Sequence, residues 1–179
     1  ATKHGVTIHT MRRLGLDRNT LVLFTSDHAD YAGDHGQFAK GIPCFQGAYR
    51  IPAVVRWPRF VRDPGRQVDA FVSEADFAPT FLDAAGIAPR RTFTGASLMP
   101  FLRGETPSEW RDAIHTQCNG VELYYTQRSV MTREFKYTFN GFDQDELYDL
   151  RVDPHEMRNL ASDPAYESQK HRMVQRMWT

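Results

Sequence analysis

The sequence has little of what marks several large classes of protein. Its two cysteines, Cys44 and Cys118, are too few for a disulfide framework. No apolar run approaches the roughly 20 residues that cross a bilayer, and the longest runs, such as Leu21–Phe24, have the length of a strand. Basic and acidic side chains balance at 22 each, so the basic excess typical of nucleic-acid binders is missing. The sequence therefore predicts no membrane span and no nucleic-acid partner.

What is present is the composition of a folded domain. Of the 179 residues, 41% are hydrophobic and 12% aromatic, which is enough for a core and excludes a disordered chain. The first residues read ATKHGVTIHTMRRLG, with apolar side chains at helical spacing but without a start methionine or a capping signal. We therefore expect the sequence to be a segment of a longer polypeptide that continues upstream.

Residues 1–104 have the pattern of an α/β fold. Helical spacing over residues 6–14 is followed by a turn and by the continuous apolar run Leu21–Phe24, which is typical of a strand buried on both faces of a parallel sheet. A second run, Ile51–Trp57, predicts another strand, and a helix with Asp76 as its N-cap follows. Helix, turn and buried strand are half of a βαβ unit, which indicates an α/β domain.

From Asp112 onwards the pattern changes to short strands. Four strand-like runs with no helix between them predict an antiparallel sheet: Ala113–Gln117, Ser129–Thr132, Phe135–Phe139 and Glu146–Leu150. Asp163-Pro164 then provide the N-cap and the first residue of a C-terminal helix. Residues 112–179 are thus predicted to form a small α+β subdomain, with the domain boundary near residues 104–111.

An acidic loop that contains histidine follows the first strand. Asp27 and His28 are adjacent, and Asp30, Asp34 and His35 follow in the same loop. Open α/β sheets bind ligands past the carboxyl ends of their strands, and this density of acid is repulsive without a cation. Aspartate oxygen suits Ca²⁺, Mg²⁺ or Mn²⁺, whereas histidine nitrogen is used more readily by Mn²⁺ or Zn²⁺. The pair alone is also compatible with a polar loop that only caps the sheet, but its surroundings favour a metal site.

Lys40 and Cys44 are the next residues able to take part in catalysis. Lys40 lies between Ala39 and Gly41, where the chain can return it to the acidic loop, and an ammonium there would stabilise charge on a reacting ester. The alternative is a solvated surface charge. Cys44 has no adjacent base, so we interpret it as a packed thiol rather than a nucleophile. A Gly-x-Ser-x-Gly elbow and a P-loop are both absent.

Several segments, taken together, resemble the sulfatase family of the alkaline phosphatase superfamily. The first is Leu21–Gly36 (LVLFTSDHADYAGDHG), which is followed by Lys40-Gly41 and by Arg50–Pro58 (RIPAVVRWP). The others match in the same order: Val72–Gly86, Gly95–Gly104, Glu146–Leu150, Asp153–Glu156 and Asn159-Leu160. Any one of these segments alone would be weak evidence. As an ordered set over nearly the whole chain they are specific.

The resemblance implies a fold and a chemistry. The fold is α/β: part of an alkaline-phosphatase-like, mostly parallel sheet with flanking helices, followed by a small antiparallel sheet packed with a C-terminal helix. The chemistry is the hydrolysis of sulfate esters by a formylglycine nucleophile and a divalent cation, most often Ca²⁺. By position, Asp27 and His28 would bind the metal, and Lys40 would contact the substrate sulfate and act in catalysis. His35 would lie next to the substrate or behind the groups that contact it.

The chain also departs from the family pattern. Ala29 stands where the family usually has glycine, and His28 is asparagine in many members. Histidine occurs there in other members, including relatives that act on phosphonate or phosphate esters, so Mn²⁺, Mg²⁺ and Zn²⁺ stay open beside Ca²⁺. The Cys/Ser-x-Pro-x-Arg motif that yields formylglycine is absent, because Cys44 is followed by Phe45 and Gln46.

These departures lead to three expectations. The nucleophile and the remaining acidic ligands are expected in a missing N-terminal half of the same polypeptide, so the chain alone is predicted to be inactive. One alternative is a phosphonate monoester or phosphodiester hydrolase on the same scaffold. The other is a catalytically silent sulfatase-like protein that binds sulfated glycans.

Overall fold

The computed structural model of the protein describes residues 3–120 and 124–179. In chain order its helices are α1 (Lys3–Arg13), α2 (Gln46–Tyr49), α3 (Phe77–Ala84), α4 (Met99–Leu102) and α5 (Glu167–Met177). Its strands are β1 (Val22–Thr25), β2 (Ala53–Arg56), β3 (Ile114–Cys118), β4 (Gln127–Met131), β5 (Phe135–Asn140) and β6 (Glu146–Asp149).

Contacts divide the chain into two units. The first unit consists of residues 1–26 and 52–110, and the second of residues 27–51 and 111–179. The predicted domains place residues 27–51 with the α/β portion, whereas their contacts lie in the second unit. Contact grouping alone does not define a folding domain, so the predicted domain limits stay a prediction.

The two apolar strands of the first unit pair with each other. Strands β1 and β2 form an antiparallel ladder of four residue pairs. Both runs are predicted strands, but the direction of this pairing differs from the parallel arrangement expected at β1. A continuous apolar run reflects the surroundings of both faces of a strand and not the direction of its neighbour. Phe24 is 46% exposed and Val54 57% exposed, so the described residues leave part of this apolar surface uncovered.

The start of α3 is held by the buried carboxylate of Asp76. Asp76 stands at the N-cap position of α3, as predicted, and its side chain completes a capping box with Ser73, the N-cap of the short 3₁₀ turn that leads into the helix. Asp76 is fully buried, and its two carboxylate oxygens accept the backbone N–H groups of Ser73 and Ala96, each over 2.8 Å. A Cβ atom at Gly95 would lie 2.1 Å from the carbonyl oxygen of Ala75, so only glycine fits this close approach.

Thr80 makes a second connection between the same two segments. Its hydroxyl donates to the carbonyl oxygen of Asp76 over 2.6 Å and accepts the N–H of Leu98 over 2.8 Å. Two of the segments that carry the resemblance, Val72–Gly86 and Gly95–Gly104, are therefore in direct contact through buried hydrogen bonds.

The second unit contains the predicted antiparallel sheet and C-terminal helix. The strand order is β3-β4-β5-β6, with every neighbouring pair antiparallel. Helix α5 packs on β4 and β5, and its residues Met173 and Met177 join a core that also contains Val130, Phe135, Tyr137, Leu147 and Leu160. Burial of each of these side chains contributes about 1.5–3 kcal/mol, so the helix and the sheet stabilise each other.

Candidate active site

The site loop, residues 27–41, begins two residues after β1. Its first carboxylate, that of Asp27, is 85% exposed, and Oδ1 accepts the backbone N–H of His28 over 3.1 Å. Hydrogen bonding to its own backbone N–H lowers the pKa of Asp27, and the charges of His28 and Lys40 add to this effect. The side chain is therefore an accessible, ionised oxygen donor at neutral pH.

Asp27 and His28 have the geometry of two ligands of one cation. Oδ2 of Asp27 and Nε2 of His28 are 3.7 Å apart. Two atoms that bind one ion at ordinary metal–ligand distances lie about 3 to 4 Å apart. Nδ1 of His28 lies 3.0 Å from the carbonyl oxygen of Ala29, and when Nδ1 carries the hydrogen of that bond, Nε2 presents a lone pair.

The cation site would be incomplete with these two ligands. Among residues 3–120 and 124–179, no group of three or more histidine, cysteine, aspartate or glutamate side chains is arranged to hold a metal. Two donors do not satisfy the coordination of Ca²⁺, Mg²⁺, Mn²⁺ or Zn²⁺, which take four or more ligands. The residues present fit a divalent cation only as part of a larger ligand set.

The backbone of the site loop turns back on itself, which places the residue before Lys40 beside Tyr31. The N–H of Tyr31 donates to the carbonyl oxygen of Ala39 over 2.9 Å, and the N–H of Gly33 to that of Gln37 over 2.8 Å. Three residues of the loop that are not glycine have positive φ angles: Ala32 at 52°, His35 at 50° and Ala39 at 56°. Such conformations cost energy and persist only where the surrounding structure holds them. Lys40 itself is exposed, and its charge acts on Asp27.

His35, the second predicted substrate contact, packs against an aromatic ring. Its imidazole stacks on Phe45 with ring centroids 3.8 Å apart and an interplanar angle of 1°. Nε2 lies 3.9 Å from Oδ1 of Asp34, and the side chain is only 12% exposed. The role of His35 towards a substrate stays a prediction, and the observed contacts are with its own loop and with Phe45.

Cys44 is packed as predicted. It is 3% exposed, and burial raises the pKa of its thiol. A buried, protonated thiol is a poor nucleophile. This cysteine is therefore part of the packing beside the site loop.

A buried ion pair beside Cys44 was not predicted from the sequence. Lys136 on β5 and Glu156 between β6 and α5 are 3% and 2% exposed, with 2.6 Å between Nζ and Oε1. The available signals were a lysine inside a largely aromatic strand and a glutamate in the segment Asp153–Glu156. Neither signal identifies the partner, because only the tertiary structure brings the two residues together.

Comparison with known proteins identifies the family. The family model for the C-terminal domain of N-sulphoglucosamine sulphohydrolase matches residues 33–179. An N-acetylglucosamine-6-O-sulfatase of Bacteroides thetaiotaomicron is 32% identical over 181 residues, which cover 96% of this chain and 32% of that protein.

Solved structures show the same scaffold. The phosphonate monoester hydrolase of Agrobacterium radiobacter superimposes with a TM-score of 0.91 at 32% identity, over 97% of this chain and 37% of that one. A protein solved in complex with its substrate D-glucosamine-2-N,6-O-disulfate gives a TM-score of 0.88 at 31% identity, over 97% of this chain and 36% of that one.

The chain therefore belongs to the sulfatase family, and it corresponds to the C-terminal portion of these hydrolases. It spans between 32% and 37% of the length of the three relatives. The predicted fold class is confirmed, since the structural relatives are sulfatases and hydrolases of the alkaline-phosphatase-like fold. Within the described part of the chain, no helix combines the length and the hydropathy needed to span a membrane.

Proposed function

We propose that this chain is the C-terminal part of a sulfuric ester hydrolase and that its site loop contributes to the active site. The observation that carries the proposal is the convergence of Asp27, His28 and Lys40 in one loop after β1. The hydrogen bond from Tyr31 to Ala39 folds the loop back on itself, and the charge of Lys40 acts on Asp27. The chain belongs to the sulfatase family.

Asp27 and His28 are proposed to bind a divalent cation, with Ca²⁺ as the first candidate. The ionised carboxylate is the ligand that a hard cation prefers, and the imidazole keeps Mn²⁺, Mg²⁺ and Zn²⁺ compatible. A cation held by these two residues would polarise the sulfate group and offset its negative charge. The remaining ligands and the formylglycine nucleophile would come from the N-terminal half of the same polypeptide.

Lys40 is proposed to contact the sulfate group of the substrate. Its ammonium is exposed and therefore accessible to an anionic ester, where it would stabilise negative charge that develops on the reacting group. The hydrogen bond between Tyr31 and Ala39 holds the backbone next to Lys40.

A phosphonate monoester hydrolase is the second candidate, favoured by the TM-score of 0.91 to such an enzyme. Sulfate and phosphonate monoesters are both tetrahedral oxyanions, and a cation with a lysine can bind either. Comparison of kcat/KM for 4-nitrophenyl sulfate and for a 4-nitrophenyl phosphonate in the complete protein would decide between the two.

The experiment that tests the metal assignment is calorimetric titration of the complete protein with Ca²⁺. Asp27→Ala is expected to abolish binding, because it removes the charged ligand. Asp30→Ala is the matched control, since Asp30 is another exposed acid of the same loop, and it should bind Ca²⁺ as the wild type does. Unchanged affinity in Asp27→Ala would contradict the assignment of Asp27 as a metal ligand.

A further inference from the structure

The buried ion pair between Lys136 and Glu156 is not explained by stability alone. A buried pair gains little net stability, because desolvation of two charges offsets their attraction, and apolar side chains of similar volume often do as well or better. The pair is better explained by the directional hydrogen bonds that it makes. These bonds go to residues 43–48, which we name the anchored segment.

Three main-chain groups of the anchored segment are held by side chains of the second unit. Nζ of Lys136 donates to the carbonyl oxygen of Cys44. Oε2 of Glu156 accepts the N–H of Gln46 over 2.7 Å. Oε1 of the buried Gln127 accepts the N–H of Cys44 over 2.6 Å. Backbone groups on both sides of Phe45 are thus held by buried side chains.

The anchored segment in turn holds the beginning of the site loop. The N–H of Ala29, the residue after His28, donates to the carbonyl oxygen of Ala48 over 2.9 Å. The hydroxyl of Tyr31 donates to the carbonyl oxygen of Pro43. A displacement of the anchored segment would therefore move the backbone beside His28.

The end of the site loop is held through the same tyrosine. The N–H of Tyr31 donates to Ala39, the residue before Lys40, over 2.9 Å. The segment also packs closely on the loop at Gly47, because a Cβ atom there would lie 2.6 Å from Oδ2 of Asp34 and 2.9 Å from the ring of Tyr31. Close packing of this kind transmits small shifts.

We propose that Lys136 and Glu156 are positioning residues of the active site, which hold the metal-ligand end and the Lys40 end of the site loop through the anchored segment. This inference rests on the proposed function of that loop. Neither residue belongs to the proposed metal ligands or sulfate contacts. Their charges supply strong, directional bonds to the main chain, which apolar side chains of the same volume would not supply.

Amide hydrogen exchange in the complete protein, without metal or substrate, tests the anchoring. Glu156→Gln is expected to speed exchange at Ala29 and Tyr31 at least tenfold relative to the amides of β4. The matched control is Asn159→Ala, because Asn159 binds the backbone of Leu147 and Ala161 in the same unit and does not contact the anchored segment. It should leave the ratio of loop to β4 exchange unchanged.

The double variant Lys136→Met/Glu156→Met covers the case in which Glu156→Gln fails to fold. It removes both charges, so β4 is expected to stay protected while the site loop loses protection at least tenfold. Equal acceleration of loop and β4 amides would show that the pair is structural only and would overturn the proposal.

Calcium titration of the same double variant separates this inference from the proposed function. An affinity at least tenfold weaker than that of the wild type is expected, as is common when groups behind metal ligands are removed. Lost loop protection with unchanged Ca²⁺ affinity would overturn the positioning role and leave the metal assignment intact. Unchanged affinity in Asp27→Ala would instead overturn the metal assignment.

Discussion

Asp76→Asn is expected to destabilise the first unit by about 3 kcal/mol. In the native protein both carboxylate oxygens accept a backbone N–H, one from Ser73 and one from Ala96, at 2.8 Å and without exposure to solvent. Hydrogen bonds to charged groups contribute roughly 1.5–3 kcal/mol each, and a buried donor left without an acceptor costs about 1–3 kcal/mol. Asparagine keeps one acceptor and turns an NH₂ group towards the other N–H. The variant therefore loses one bond and leaves one donor unsatisfied.

The assay is urea unfolding of the complete protein, combined with amide exchange at Ser73 and Ala96 to locate the loss. Asp83→Asn is the matched control, because Asp83 lies on α3, the helix that Asp76 precedes, and accepts a hydrogen bond from Ser97 over 2.6 Å, but it is exposed. Surface substitutions of this kind change stability by about 0.5 kcal/mol or less. A loss in Asp76→Asn no larger than in Asp83→Asn would refute the assignment of Asp76 as the residue that joins the two segments.

Three further predictions concern the site loop, the sheet and the isolated chain. Lys40→Ala should lower kcat/KM of the complete enzyme about a hundred- to thousandfold, which corresponds to roughly 2.7–4 kcal/mol of transition-state stabilisation. The free energy of unfolding should change by only about 0.5 kcal/mol. Near wild-type kinetics would show that Lys40 is a solvated surface residue. Burial raises the pKa of Glu146. The folded protein therefore favours the protonated carboxyl, and the stability that this contributes is fully present below about pH 4. It is lost as the pH rises through the raised pKa. The free energy of unfolding of Glu146→Gln should therefore rise relative to that of the wild type between about pH 4 and 7. A difference between the two proteins that stays constant over this range would contradict burial as the cause. Residues 1–179 alone should not hydrolyse an aryl sulfate, and turnover that depends on Asp27 in the purified chain would mean that it contains its own nucleophile.

Much of the fold follows from local pattern in the sequence. The four strands of the second unit and its C-terminal helix lie within a few residues of their predicted bounds. Short runs of strand-forming residues and a capping signal act over neighbouring residues, so a single sequence carries them. The order of the motifs likewise identified the family, because a family signature is a property of residue type and spacing.

The candidate ligands Asp27 and His28 could also be proposed from the sequence, since adjacent donors after a strand need no long-range contact to be recognised. For Lys40 the sequence offered only a lysine near glycine and proline. The fold of the loop around Lys40 depends on left-handed backbone at Ala39 and on the hydrogen bond from Tyr31. Alanine rarely adopts that conformation on its own, so the local pattern did not require it.

Tertiary structure alone decided the long-range pairings. Lys136 contacts Glu156, 20 residues away in the sequence, and Cys44, 92 residues away. Strands β1 and β2, which pair in the antiparallel direction, lie on either side of the site loop in the sequence. Apolar pattern and charge indicate that a residue is buried or solvated, but a buried charge has many candidate partners along the chain. Which partner it meets depends on how distant segments pack, and that information is spread over the whole sequence rather than written near either residue.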